Sequence, residues 1–259
     1  MNLSIIIVNF NTKELLLRCL HSIFQSKPKI KYEVIVVDNA STDGSLESLS
    51  NFQVPTTNFQ LIRNRKNLGF AKANNQAIKR AKAEFILLLN SDTEVEKGAI
   101  DQLYYFAKKT TDAGVVGAKL LDPDGKVQPS VFRLPTISRA IKQYWLGEKG
   151  LLNKYAPELN KPQEVEAVVG AAFLITPEAR KRVGLLDERY FVYFEDLDYC
   201  RRIKKAGLKV YYLPAAKIIH QHGASGGDMK LLISSSKIYH GQLRHLVINF
   251  IIWSGRNYE

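Results

Sequence analysis

The stretch Glu84-Phe85-Ile86-Leu87-Leu88-Leu89-Asn90-Ser91-Asp92 decides the fold. Five consecutive apolar residues end abruptly in an amide, a hydroxyl and a carboxylate, which is typical of a central strand buried on both faces. In an open α/β sheet, ligands bind just beyond the carboxyl ends of such strands. We therefore expect Asp92 at the mouth of a crevice, where its anionic oxygen suits a divalent cation that carries phosphates. An Asp that only caps the next helix is the alternative.

Strand-like and helix-like segments alternate over the first ninety residues. Apolar runs at 3–8, 32–37 and 59–62 precede the central strand, and helical patterns separate them. This predicts an α/β fold: a mostly parallel central sheet with helices on both faces. Because parallel crossovers are right-handed, the strand ends gather at one edge. We expect Asp38, Asn67 and Asp92 to converge there.

The later part of the chain is less regular. We expect a helix around residues 100–107, a strand at 115–121, a turn at 122–125 and an irregular insertion over 136–163. Strands are then predicted at 165–176, 208–213 and 216–220, with a glycine-rich loop at 222–227. Asn11, three residues before Glu14, is the predicted cap of the first helix.

Composition and charge narrow the class of protein. The chain has 259 residues and a net charge of +12, and no apolar run is long enough to cross a bilayer. The start of the chain has the pattern of a strand, not of a signal peptide. Two cysteines, Cys19 and Cys200, are typical of reduced core residues, so we predict a cytoplasmic protein.

The positive charge favours polyanionic partners, which include anionic membrane surfaces and phosphorylated substrates. The basic residues are spread along the chain, and no motif that interleaves them with aromatics is present. We therefore predict no nucleic-acid partner. A solvated basic surface is the alternative.

Six short motifs follow one another along the chain. They are Val8-Asn9-Phe10-Asn11, Asp38-Asn39-Ala40-Ser41-Thr42-Asp43-Gly44-Ser45, Asn67-Leu68-Gly69-Phe70-Ala71, Asn90-Ser91-Asp92, Asp187-Glu188 followed by Tyr193-Phe194-Glu195-Asp196-Leu197-Asp198, and a late His220. In this order they resemble family 2 inverting glycosyltransferases of the rhamnosyltransferase-like kind, over about residues 3–227.

The resemblance implies a GT-A fold and an activity: a sugar moves from a nucleotide diphosphate donor to a glycan or lipid-linked glycan in cell-surface polysaccharide synthesis. It divides the chain into a glycosyltransferase domain over 1–227 and a helical tail over 228–259. Within the domain, residues 1–121 would bind the nucleotide-sugar, and residues 122–227 would bind the acceptor and carry catalysis.

The resemblance also implies donor contacts at the strand ends. Asp38 would accept hydrogen bonds from the base or ribose, although a turn-forming Asp has the same position. The implied donor-binding residues are Val8, Asn9, Asn11, Asp38, Asn67, Gly69, Asn74, Asn90, Ser91 and Asp92.

A metal site is implied by the Asn90-Ser91-Asp92 segment, which corresponds to the family's Asp-any-Asp motif with an amide in place of the first carboxylate. Asp92 is the expected ligand, and His220 resembles the family's late histidine. His222 is a second candidate, because alternate residues of a strand share a face. Oxygen and imidazole ligands suit Mn²⁺ or Mg²⁺.

The acid pair Glu195-Asp196 is the implied catalytic group. Asp196 would be the general base that deprotonates the acceptor hydroxyl, and Glu195 would orient the base or the acceptor. Carboxylates at a helix N-terminus are the alternative, since the helix dipole favours them there. Gly170 and Ala171 resemble the segment that lines the acceptor site. Trp145 and Tyr193 are candidates to stack on the acceptor, or ordinary core residues.

Three questions stay open at this point. The motifs favour dTDP-rhamnose as donor, with a UDP- or GDP-sugar as the alternative. A non-enzymatic nucleotide-binding or membrane-docking module is the competing class of function. The tail, residues 229–253, has an apolar stripe with basic neighbours that predicts either an amphipathic helix on the inner membrane face or a helix that packs on the domain or on a subunit of a homo-oligomer.

Overall fold

The structure is a computed structural model that describes residues 1–52, 58–221 and 228–256. The strands are, in chain order, β1 (Leu3–Asn9), β2 (Tyr32–Asp38), β3 (Phe59–Arg63), β4 (Phe85–Asn90), β5 (Thr93–Val95), β6 (Ala113–Leu121), β7 (Val131–Phe132), β8 (Gln163–Val165), β9 (Ala167–Val168), β10 (Ala172–Ile175) and β11 (Lys209–His220). The helices are α1 (Lys13–Gln25), α2 (Ser45–Asn51), α3 (Phe70–Ile78), α4 (Ala99–Lys109), α5 (Ile137–Tyr144), α6 (Pro177–Val183), α7 (Glu195–Lys205), α8 (Met229–His240) and α9 (Gln242–Arg256).

A nine-stranded sheet forms the centre of the molecule, in the order β3-β2-β1-β4-β10-β6-β11-β5, and β8 also pairs with β11. The first four strands of this order are parallel. β10 runs antiparallel to both of its neighbours, whereas β11 is parallel to β6. The predicted α/β class is confirmed, and the sheet is parallel on one side and mixed on the other.

Two apolar layers cover the sheet, because alternate residues of a strand point to opposite faces. Ile5 and Ile7 of β1 face a cluster that includes α1 and α4, while Ile6 faces a cluster that includes α3 and α7. The central strand divides in the same way: Leu87 and Leu89 face the first cluster and Ile86 and Leu88 the second. This double burial is the reason that β4 is an unbroken apolar run.

The structure corrects several expectations about single elements. The predicted strand at 165–176 is three short strands, because Glu166 turns away to pair with Arg139 of α5 at 2.6 Å. That helix lies in the segment predicted to be irregular. The two late strands are one continuous strand, β11, whose register on β6 shifts between Leu213 and Lys217, around Pro214. Proline has no N–H for the ladder, so an irregularity there is expected.

Two further corrections concern helix ends. Asn11 does not cap α1, since its backbone is left-handed with φ 53° and the N-cap residue is Thr12. The tail is two helices and not one, because Gly241, with φ 77°, separates α8 from α9. None of the helices in the described ranges is both long and apolar enough to cross a membrane. The predicted loop at 222–227, which includes His222, lies outside the described residues.

Candidate active site

The carboxyl ends of β1, β2 and β4 form one rim of the sheet. In register, Asn9 lies opposite Asp38, and Val8 lies opposite Asn90. Asp38 is fully buried, and its carboxylate accepts hydrogen bonds from Asn9 Nδ2 (3.0 Å) and from the backbone N–H of Ser41 (3.1 Å). These donors satisfy a charge that burial would otherwise penalise. The structure therefore brings together the predicted residues Val8, Asn9, Asp38 and Asn90.

A chain of hydrogen bonds continues from this pair along the rim. Asn9 Oδ1 accepts from Thr12 Oγ1 at 2.7 Å, and the Thr12 hydroxyl lies 2.8 Å from that of Ser91. Asn9 Nδ2 also donates to Ser41 Oγ at 2.9 Å. Thr12 and Ser41 were not predicted as site residues, although both lie in or beside a motif. The network fixes the side chains of two neighbouring strand ends relative to each other.

Asn39 organises the adjoining loop and was also missed as a site residue. Its Nδ2 donates to Asn67 Oδ1 at 2.7 Å, and its Oδ1 accepts from the backbone N–H of Leu68 at 3.0 Å. Gly69 follows with φ +83°, and a Cβ there would lie 2.5 Å from the Phe191 carbonyl oxygen. The glycine is required because the loop passes directly against the segment that leads to the acid pair Glu195-Asp196.

Two predicted donor residues have other contacts in the structure. Asn74 is buried, and its Nδ2 donates to the Phe70 carbonyl within its own helix at 2.9 Å. Asn11 accepts from the backbone N–H of Thr42 at 2.7 Å, which ties the loop after β1 to the loop after β2. Their roles toward a donor remain predictions.

Asp92 and His220 meet at the same rim. Asp92 Oδ1 is buried, lies 3.4 Å from His220 Nε2, and accepts no hydrogen bond from any described residue. Strand pairing places them together: His220 lies opposite Thr93, and the backbone N–H of Gln221 donates to the Asp92 carbonyl at 2.9 Å. Asn90 Oδ1 is likewise buried without a hydrogen-bond partner in the described part of the chain. Orphaned acceptors of this kind call for a cation, a water or a donor from outside the described residues.

Gln128 fixes the ring of His220, and no sequence signal pointed to it. Its Nε2 lies 2.8 Å from Asp122 Oδ1, and its Oε1 lies 2.7 Å from His220 Nδ1. A carboxylate only accepts, so the amide nitrogen faces Asp122 and the amide oxygen faces the ring. The ring Nδ1 therefore carries the proton, and in the neutral ring Nε2 presents a lone pair toward Asp92.

Two acceptors that face each other at 3.4 Å fit a bound cation. Within residues 1–52, 58–221 and 228–256, no third His, Cys, Asp or Glu joins Asp92 and His220 to form a metal cluster. A carboxylate and one imidazole suit an ion such as Mg²⁺ or Mn²⁺, which takes its other ligands from water and substrate phosphates. Asp92 and His220 therefore fit Mn²⁺ or Mg²⁺ when water and substrate phosphates supply the other ligands.

The acid pair Glu195-Asp196 opens α7. The two residues before it, Tyr193 and Phe194, both have a positive φ, 69° and 67°. Non-glycine residues in this region cost energy and occur at sites where the backbone must aim a side chain. Burial, and after it the charge of Asp196, raises the pKa of Glu195 to about 8. Glu195 therefore holds its proton near neutral pH.

Asp196 has a different environment. Its Oδ2 accepts from the backbone N–H of Gly170 at 3.0 Å, and its Oδ1 accepts from that of Leu197 at 2.7 Å. Burial raises the pKa of Asp196, while these two donors and the ammonium of Lys154 act in the opposite direction. Hydrogen bonds to the charged form orient the carboxylate and keep it available as a proton acceptor.

The segment Gly170-Ala171 joins the two parts of the site. Gly170 donates to Asp196, and the carbonyl of Ala171 accepts from the backbone N–H of Asn90 at 3.0 Å. Two consecutive residues thus link the Asp196 carboxylate to the end of β4 through hydrogen bonds. Trp145 lies elsewhere, where its Nε1 donates to Ser254 Oγ of α9 at 2.9 Å. Its role as an acceptor contact stays a prediction.

Known proteins are similar to this chain in both sequence and fold. A model of "Glycosyl transferase family 2" matches residues 4–174. The chain is 32% identical over 211 residues to the N-acetylglucosaminyl-diphospho-decaprenol L-rhamnosyltransferase of Mycobacterium tuberculosis, an alignment that covers 75% of this chain and 68% of that protein. It is 30% identical to the poly(ribitol-phosphate) beta-glucosyltransferase of Bacillus spizizenii, over 83% of this chain but only 34% of that enzyme.

Two solved structures share the fold at 18% identity. One is GalNAc-T7 with UDP, GalNAc and Mn²⁺, with a TM-score of 0.69 over 91% of this chain and 46% of that one. The other is S. aureus TarS 1–349 in complex with UDP-GlcNAc, with a TM-score of 0.63 over 99% of this chain and 72% of that one. Both confirm the GT-A architecture. Because the family model covers well over half of the residues and the rim carries the family's motifs in order, the chain belongs to glycosyl transferase family 2.

Proposed function

We propose that the protein is an inverting, metal-dependent hexosyltransferase with Asp196 as its general base. The acceptor oxygen gives its proton to the Asp196 carboxylate while it forms the new bond to the anomeric carbon of the donor sugar. The bond between that carbon and the diphosphate oxygen breaks, and the diphosphate leaves with the electron pair. Protonated Glu195 adds no second charge and can donate a hydrogen bond to the acceptor or the base.

Asp92 and His220 would hold a divalent cation, Mn²⁺ or Mg²⁺, with His222 as a further candidate. When bound, the cation would neutralise charge that develops on the diphosphate. The single observation that carries the proposal is the buried, unpartnered Asp92 Oδ1 facing His220 Nε2 at 3.4 Å. It lies at the strand end that Gly170-Ala171 connects to Asp196. If the carboxylates only capped helices, as in a non-enzymatic module, Asp92 and His220 would have no reason to face each other with two acceptor atoms.

For the donor side, we propose that residues 1–121 bind the nucleotide. Asp38, held by Asn9 and Ser41, would accept from the ribose or base, and the backbone at Gly69 would approach the nucleotide closely. The similarity to a rhamnosyltransferase supports dTDP-rhamnose. A UDP-sugar is the alternative, supported by the UDP complexes among the structural neighbours.

For the acceptor side, we propose that residues 122–227 bind a glycan or a lipid-linked glycan in cell-surface polysaccharide synthesis. The named acceptor of the M. tuberculosis relative is a lipid diphosphate sugar, which supports this class. Gly170 lies against Asp196, so a sugar hydroxyl that reaches the base passes over this glycine. Lipid-linked acceptors are anchored in the bilayer, which supports a cytoplasmic protein that works at the inner face of the cell membrane.

A donor screen and one substitution test the proposal. Nucleoside diphosphate release is measured with dTDP-rhamnose, UDP-glucose, UDP-GlcNAc and GDP-mannose, with Mn²⁺, with Mg²⁺ and with chelator. For the preferred donor, Asp196→Asn should lower turnover by ~10²–10⁴-fold and leave donor affinity nearly unchanged. Asp124→Asn, in an exposed turn, is the matched control. Unchanged turnover of Asp196→Asn would exclude Asp196 as the base, and the absence of metal-dependent binding to every donor would favour a non-enzymatic module.

A further inference from the structure

An exposed apolar surface covers the tail of the protein. On α9 it consists of Leu243, Leu246, Val247, Phe250 and Trp253, and Leu243 is 75% and Trp253 65% exposed. Their spacing places all five on one side of the helix. The neighbouring elements add further exposed apolar residues, Met229, Leu232 and Ile233 of α8 and Trp145 and Leu146 after α5. We call this set of residues the tail face.

The tail face is not a by-product of a poorly anchored helix. The opposite side of α9 is firmly packed: Ile248 and Ile251 are buried against Ala140 of α5. Gly255 lies so close to α5 that a Cβ there would meet Tyr144 at 2.5 Å. Helix α9 is therefore apolar on two sides, of which α5 covers only one. Contiguous apolar patches of this kind mark interaction sites.

The charges around the tail face favour a bilayer over a second copy of the chain. Residues 228–255 contain Lys230, Lys237 and Arg244 and a single acid, Asp228, which caps the start of α8. Two such surfaces would bring like charges together, whereas anionic lipid headgroups attract them. Two tryptophans, Trp145 and Trp253, are also present, and this residue type is enriched where protein meets the headgroup region.

The tail face is attached to the catalytic loop through α8. Ser235 Oγ donates to the Val192 carbonyl at 2.7 Å, and the Tyr239 ring packs on Phe194 with centroids 5.3 Å apart. Arg201 of α7 donates to the Tyr239 carbonyl at 2.9 Å. Helix α8 thus contacts Val192 and Phe194, which precede the acid pair, and Arg201 of α7, so the tail packs directly on the segment that carries Asp196.

We propose that the tail face docks on the surface of an anionic bilayer and thereby presents Asp196 to the headgroup of a lipid-linked acceptor. The link to the acceptor rests on the proposed function, whereas docking itself needs neither donor nor acceptor. The tail helices lie in the interface plane with their apolar side in the acyl boundary.

Sedimentation of the full chain with vesicles tests the docking. Vesicles of phosphatidylcholine alone and with about 30% phosphatidylglycerol supply the surface. We expect binding to the anionic vesicles, weakened at least about 10-fold in the triple variant Leu246→Ser, Phe250→Ser, Trp253→Ser. The double variant Tyr105→Ser, Leu159→Ser removes two other exposed apolar side chains, 46% and 53% exposed, outside the tail face and should bind like the unaltered protein. Circular dichroism melts confirm that each variant folds.

Three outcomes would overturn the proposal: no binding to anionic vesicles at low salt, equal binding by the triple variant, or a dimer in sedimentation velocity that the triple variant converts to monomer.

A transferase assay distinguishes a failure of membrane docking from a failure of the proposed transferase function. The triple variant should transfer sugar to a water-soluble acceptor at the normal rate and lose activity toward acceptor embedded in vesicles. If instead no donor is turned over by any form, the proposed function fails while vesicle binding still decides the docking.

Discussion

Replacing Gln128 with Leu tests how the metal site is built. The substitution keeps the side chain bulky and removes the amide oxygen that lies 2.7 Å from His220 Nδ1. It also removes the amide hydrogen bond to Asp122. The acceptor that selects the tautomer with a lone pair on Nε2 is thereby lost. Loss of such an orienting partner costs ~10–100-fold in metal affinity.

The stability cost of the same substitution follows from burial. His220 and Gln128 are 5% and 7% exposed, so the ring N–H loses the Gln128 acceptor in a nearly dry site. A buried unpaired donor costs ~1–3 kcal/mol. We therefore expect Gln128→Leu to fold with a lowered melting temperature and to bind Mn²⁺ more weakly in the presence of a nucleoside diphosphate.

Mn²⁺ binding is measured from the free-ion signal in electron paramagnetic resonance, and ¹⁵N shifts of the His220 ring report the tautomer without reference to activity. Asp122→Asn is the control, because its amide oxygen still accepts from Gln128 Nε2 and preserves the orientation. If Gln128→Leu lost stability but kept both the Mn²⁺ affinity and the tautomer, His220 would not be a ligand oriented by Gln128.

Three further predictions concern other parts of the site and core. Burial raises the pKa of Glu195 from 4.5 to about 8, so the folded state keeps a proton that the unfolded state loses as pH rises between these values. Stability should fall over that range, and the melting temperature of Glu195→Gln relative to the unaltered protein should rise from pH 5 to pH 8; a constant difference would contradict this. Gly69→Ala should cost more free energy of unfolding than Gly125→Ala, because both have φ near +83° but only the first meets backbone, at Phe191, while nothing described lies within 4 Å of the second. Equal denaturation midpoints would show that the close contact is unimportant. Cys19 and Cys200 are fully buried and their thiol pKa values are raised, that of Cys19 to about 12, so a disulfide-exchange reagent should label neither until the protein is denatured.

The donor half of the fold could be predicted because its signals are local. The apolar runs of β1, β2 and β4 each end in polar residues, and helical periodicity fills the gaps between them. Their parallel pairing then follows from the crossover rule. The structure confirms these elements and brings Asn9 opposite Asp38 as the shared rim requires.

The acceptor half could not be predicted to the same degree because its organisation depends on distant contacts. Glu166 breaks the expected long strand to pair with Arg139, which lies 27 residues away. Gln128 gains its role only because its amide meets His220, 92 residues away. A single glutamine or glutamate belongs to no periodic pattern or motif spacing from which such a distant partner could be predicted. Asn39, inside a motif, could have been singled out from its neighbours, whereas Gln128 could not.

The reversed strand β10 explains how one sheet edge comes to hold both donor and catalytic residues. Because β10 is antiparallel to β4, its first residue, Ala172, lies beside Leu89 near the carboxyl end of the central strand. The residues just before it, Gly170 and Ala171, therefore lie at the rim, where they bond Asp196 and Asn90. A parallel strand in this position would place its carboxyl end at the rim and its preceding residues at the opposite edge of the sheet. β11 is parallel to β6, so its own carboxyl end, His220, reaches the same rim from the other side. Two strand directions, and not the motifs alone, thus bring Asp196, His220 and the ends of β1, β2 and β4 to one rim of the sheet.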